Sequence, residues 1–107
     1  MTKFRDNMAV LCGINAACVA EYLWERVCFN RYSEEYVTGD VYWHRVSVPT
    51  IMTDMNFLSK DQITRAIRVL IDKNIIRKDI LNEDPFDKTC WYRFTEYGER
   101  NMIRGEA

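Results

Sequence analysis

The sequence predicts an α+β domain, mainly helical, with a small antiparallel sheet, and three observations lead there. An apolar stretch from Gly13 to about Asn30 repeats at helical spacing, and Ser59 opens a second helix with a capping box. Two strand-like runs, Ile75 to Ile80 and Thr89 to Phe94, flank a loop that contains Pro85. At 107 residues, 48% hydrophobic and 29% charged, the chain suits one core rather than two.

Taken in order, residues 1–12 read as an N-terminal arm, either a short strand or irregular chain. Residues 13–30 form a scaffold helix with Ala16, Val19, Ala20, Leu23, Trp24 and Val27 on one broad face, and Glu21 and Glu25 opposite. A helix this apolar has to be covered on more than one side, by its own domain or by a second copy. Arg31 to Asp40 is polar and ends in the turn residues Gly39 and Asp40, so it reads as a loop. Val41 to Val46 is β-branched and aromatic and reads as a strand, with Trp43 as its core anchor. Ser47 is an N-cap and Pro49 lies in the first turn, where a missing N–H costs nothing, opening a short helix to about Met55.

Asn56 to Leu58 is then a tight turn. In the capping box, the Ser59 hydroxyl accepts from the backbone three residues on while the Gln62 side chain reaches back. Ile63, Ala66, Ile67, Leu70 and Ile71 share one face of the helix Lys60 to Lys73, and Asn74 supplies its left-handed stop. The two strand-like runs form a hairpin around Leu81 to Lys88. Thr95 caps a last short helix carrying Tyr97, Met102 and Ile103, which Gly98 weakens by about 1 kcal/mol relative to Ala. Residues 41–94 thus hold strand, two helices and hairpin, and residues 95–107 a C-terminal helix and tail. This is the order of a winged helix-turn-helix, a three-helix core with a β-wing, in which a helix after a short turn protrudes far enough to enter a major groove about 12 Å wide.

The run Trp43, Arg45, Val46, Ser47, then Leu58, Ser59, then Ile63, Thr64, Arg65, Ala66, Ile67, Leu70, Ile75 and Ile76 resembles the winged-helix domains of phage and plasmid replication initiators and replisome organisers. Lys88, Thr89, Trp91 and Tyr92 are similar to their returning wing strand. Phe94, Thr95 and Gly98 resemble the wing-to-helix junction of MarR-like and PadR-like regulators, whose following helix helps dimerise. The likeness spans about Val41 to Gly98, and winged helices serve repression, replication and protein contacts alike. It implies duplex-DNA binding in transcription control or replication initiation, with Lys60 to Arg68 reading a groove and the wing touching phosphates. The candidate contacts are then Ser47, Thr50, Lys60, Gln62, Thr64, Arg65, Arg68, Arg77, Lys78 and Lys88.

The residues carry a reading of their own. With Ile63 and Ile67 inward, Asp61, Arg65, Arg68 and Asp72 point outward, flanked by Gln62, Thr64 and Val69. Arg and Gln can contact guanine and adenine edges bidentately, and Thr64 suits a thymine methyl or a phosphate. Against that, Asp61 with Arg65 and Arg68 with Asp72 are spaced as the ion pairs of any solvated helix. Charge distribution favours the first reading: Ser59 to Lys78 holds six basic residues against two acidic ones, net +4, leaving net −5 elsewhere. The wing disagrees, since Glu83, Asp84 and Asp87 face only Lys88. Either it turns away from DNA or the domain binds protein, a replisome or phage partner docking on aromatics such as Trp24, Phe29, Tyr32 and Tyr36.

Other classes are disfavoured. Cys12, Cys18, Cys28 and Cys90 show neither a CxxC nor a zinc-finger rhythm and read as reduced thiols. His44 is the only histidine, with no ligand or nucleophile at a useful spacing, so neither an enzyme nor a metal or cofactor is expected. The longest nearly uncharged run, Met8 to Ala20, is 13 residues, against the roughly 20 of a membrane span. A cytoplasmic protein working as a homodimer on half-sites about 34 Å apart is the expectation.

Overall fold

A computed structural model describes residues 4–30, 37–38 and 41–104. The described residues form an α+β fold, mainly helical, in the order α1 (Asp6–Cys12), α2 (Ile14–Asn30), β1 (Val37–Thr38), β2 (Val41–Tyr42), β3 (His44–Arg45), α3 (Val48–Asp54), α4 (Lys60–Asp72), β4 (Ile76–Asp79), β5 (Trp91–Phe94) and α5 (Glu96–Arg104). The main sheet is antiparallel with strand order β3-β5-β4, and β1 and β2 pair separately.

The arm expected over residues 1–12 is instead helical. No side chain caps α1, yet Met8 is fully buried. Arg5 meets Glu21 at 3.3 Å and the Asn7 side chain donates to the Asn101 backbone carbonyl at 2.8 Å. Tertiary contact therefore makes this seven-residue helix, which is too short to be stable by itself. Gly13 (φ 89°) separates α1 from α2, a positive φ that side-chain-bearing residues avoid.

That placement also answers what covers α2. Ala16, Ala17, Cys18, Val19, Ala20, Tyr22, Leu23 and Val27 are all buried, and α2 packs on both α1 and α4. The chain covers its own apolar helix, so a second copy is not needed for that purpose. Trp24 is half-buried and meets Phe94 edge-on at 5.0 Å, whereas Phe29 is exposed. Tyr32, Tyr36 and the turn residues Gly39 and Asp40 lie outside the described residues.

The strand expected over Val41 to Val46 divides at Trp43. Its first part pairs back on Val37–Thr38, which had read as loop, and its second joins β5. Trp43 is buried but stands apart from the main core, with the Arg93 guanidinium 5.6 Å from its ring centroid. The hairpin β4–β5 forms as expected, with Ile76 opposite Phe94 and Asp79 opposite Trp91, though each strand is shorter than its strand-like run.

Local signals in the helical segments hold well. Ser47 caps α3, accepting from the Thr50 amide at 3.3 Å. The capping box of α4 is complete, with Gln62 N to Ser59 Oγ at 3.2 Å and Ser59 N to Gln62 Oε1 at 2.8 Å. Asn74 takes φ 60°, ending the helix. Ile63, Ala66, Ile67 and Leu70 are buried against α2 and α3. Thr95 joins the two ends of this region: its hydroxyl donates to the Asn74 carbonyl at 2.5 Å and accepts from the Gly98 amide at 2.9 Å. Gly98 itself is buried where α5 lies on the backbone of Ile75.

Candidate nucleic-acid interface

The outward side of α4 stands free among the described residues. Lys60, Asp61, Gln62, Thr64, Arg65, Arg68 and Asp72 are all exposed, while the four buried residues of the helix share the opposite side. The possible pairs Asp61 with Arg65 and Arg68 with Asp72 do not close: no ion pair within 4.0 Å joins them. Both guanidinium groups are therefore available to an anion.

Gln62 differs from the others. Its amide oxygen already accepts from the Ser59 amide, which ties the side chain to the helix start and leaves one lone pair for a further donor. The spacing that assigned Gln62 to the cap and to a groove had given one side chain two competing tasks. Its Nε2 still has two hydrogens to donate.

Ser47 and Thr50 lie at the start of α3 and share a hydrogen bond of 2.9 Å between their hydroxyls. They line a polar cavity of about 280 Å³ with Tyr22, Arg26, His44 and Asp54. Tyr22 donates to Asp54 at 2.5 Å and Arg26 lies 3.4 Å from the same carboxylate, fixing α3 to α2. Arg77 and Lys78 are both exposed but adjacent on β4, so they point to opposite faces of the sheet, Arg77 across from Arg93 and Lys78 across from Tyr92. A single flat partner reaches only one of them directly. Lys88 is exposed near the end of the β4–β5 loop.

Sequence reasoning missed the organisation of that loop. Arg45 pairs with Asp87, 42 positions away, and its Nε donates to Asn82 Oδ1 at 3.0 Å. Asn82 also accepts from Trp91 Nε1 at 2.7 Å and donates to the carbonyls of Asp87 and Thr89. Two hydrogen bonds from Thr89 and the Arg45 guanidinium hold the Asp87 carboxyl down at about 2. Asp87 is thus a structural anion whose charge is met within the fold, and the acidity of the loop reduces to Glu83 and Asp84, both exposed. Asp84 Oδ1 also accepts from the Phe86 amide at 2.9 Å, and Phe86 projects with 90% of its surface exposed.

Burial in the polar cavity, with the Arg26 charge adding to it, pushes His44 down to about 4, partly opposed by Asp54. The folded value lies below the unfolded one, so between them the unfolded chain binds more protons and stability falls with falling pH. Lowering the pH from about 7 to about 4 is expected to cost about 1 to 3 kcal/mol through this group, which is only partly shielded from solvent. Urea titrations should show that dependence flattened in His44→Gln; an unchanged dependence would remove His44 as its source.

Among the described residues no group of three or more His, Cys, Asp or Glu side chains is placed to hold a metal, and no helix is long and apolar enough to cross a membrane. None of the four cysteines is in a disulfide; Cys18 is buried and the others are half-buried. Compared with known proteins, the chain matches no family model, and no curated protein or solved structure is similar enough to it to indicate kinship.

Proposed function

We propose that the protein binds duplex DNA as a winged helix, with α3 and the turn supporting α4 as the recognition helix and the β4–β5 hairpin as the wing. The observation that carries this reading is the free basic side of α4, where Arg65 and Arg68 are exposed and make no ion pair with Asp61 or Asp72. Ion pairing along the helix would have left little net field there. Without it, the surplus of positive charge between Ser59 and Lys78 can meet phosphates, the term that dominates affinity for DNA. Thr64 and the two arginines then supply contacts to base edges, with Lys60 positioning the helix end. Regulation of transcription or initiation of replication are the roles that such a module serves.

A fluorescence titration with duplex DNA of random sequence at two salt concentrations tests this. Neutralising about three to five phosphates gives a slope of log affinity on log salt of about −2.7 to −4.5. A slope near zero, or no binding at low salt, would sink the proposal. The second reading, docking to a protein, draws on Phe86 and on Glu83 and Asp84 beside it, which present an apolar and acidic tip that phosphates repel.

A further inference from the structure

The face that α4 turns toward the start of α2 is hollow. A groove of about 450 Å³ runs there, floored by Ile14, Ala16, Ala66 and Val69 and bordered by Arg65. Burial holds the thiol of Cys12, another lining residue, above its ordinary value, partly opposed by the positive charge of Lys73. The groove is therefore apolar inside and positive at its edge. No residue of the β4–β5 loop lines it, and among the described residues none fills it.

The same chain carries a matching projection. Phe86 is 90% exposed at the tip of the β4–β5 loop, with Glu83 and Asp84 exposed next to it. A cavity of about 150 Å³ suffices for a benzene ring, so the groove has room for a phenyl group. The acidic pair would meet Arg65 and Lys73 as Phe86 entered between Ile14 and Val69. Asp87 adds no competing charge, being paired with Arg45.

We propose that the chain self-associates head to tail, the Phe86 tip of one copy docking in the α2–α4 groove of the next. Two different surfaces meet, a heterologous contact in which copies add in a row wherever the rotation between them does not close a ring. One aromatic anchor and its rim form an interface well under the roughly 1,200 Å² of a stable complex, which puts association in the range of about 0.1 to 1 mM. The inference is independent of DNA binding, and its test contains no DNA.

Sedimentation of the whole chain from about 20 µM to about 1 mM, within the range set by that interface, should show average mass rising beyond twofold without a plateau at the dimer. Phe86→Ser removes the knob and Ile14→Asp spoils the groove; both positions are exposed, so circular dichroism should be unchanged. Each variant alone should stay monomeric, and an equal mixture should give dimers and nothing larger, since one intact knob meets one intact groove. A chain that stays monomeric throughout overturns the proposal and leaves the groove to an acidic, aromatic segment of a different protein. A dimer that neither variant disturbs overturns it in favour of a symmetric contact elsewhere, and a monomeric mixture overturns it too.

Discussion

Gly98→Ala is expected to destabilise the protein by roughly 3 to 5 kcal/mol, a large part of the 5 to 15 kcal/mol that holds a small domain together. A Cβ at this position would lie 2.0 Å from the carbonyl oxygen of Ile75 and 2.8 Å from its carbonyl carbon. Backbone, unlike the end of a long side chain, cannot step aside. The whole of α5 must lift, and the lift breaks bonds that converge on the same place. Thr95 N donates to that oxygen at 3.0 Å and the Thr95 hydroxyl bonds the adjoining Asn74 carbonyl. Leaving buried groups unpaired costs about 1 to 3 kcal/mol each. Helix propensity predicts the opposite sign, a gain of about 1 kcal/mol from replacing glycine. Urea denaturation separates the two outcomes, and a variant as stable as the parent would mean that α5 does not rest on Ile75.

Arg65→Ala combined with Arg68→Ala is expected to weaken duplex-DNA binding by roughly 2 to 6 kcal/mol, at 1 to 3 kcal/mol for each good contact. Both side chains are exposed and neither makes an ion pair with its neighbour Asp61 or Asp72, so stability should stay within about 0.5 kcal/mol of the parent. Parallel measurements of binding and unfolding give the discriminating result. Equal affinity of parent and variant would end the reading of α4 as the contact helix. Arg65 alone also borders the α2–α4 groove, so Arg68→Ala, which leaves that border intact, isolates the DNA term.

What was legible in the sequence depended on how far apart the interacting residues lie. Ser59 and Gln62 settle the start of α4 within a single turn, Asn74 ends it through its own backbone preference, and Ser47 caps α3 three residues away from its partner. The free side of α4 followed from its period, because four buried aliphatic residues on one face leave the arginines on the other. Helix α1 was not legible, since Arg5 gives it no cap and its stability comes from Met8 packing and from Asn7 bonding Asn101, 94 positions away. The division of the strand at Trp43 was equally hidden, because residues 41–46 carry one unbroken β pattern and only the choice of partners splits it. At the site, the pairing of Arg45 with Asp87 reduced the acidity of the loop from three groups to two, Glu83 and Asp84. Gly98 shows the limit most plainly: a composition rule sees a weak helix residue, and the structure uses the space that a side chain would have taken.

The saturation of Asn82 changes what any encounter with the β4–β5 loop requires. Both hydrogens of its amide are donated and its oxygen accepts twice, so the two ends of the loop are tied together before a partner arrives. Freezing a mobile loop costs about 1 to 2 kcal/mol per residue, a charge that a floppy tip would levy on every binding event. Phe86 is carried instead on a stiff finger, and whatever receives it keeps nearly all of the contact energy.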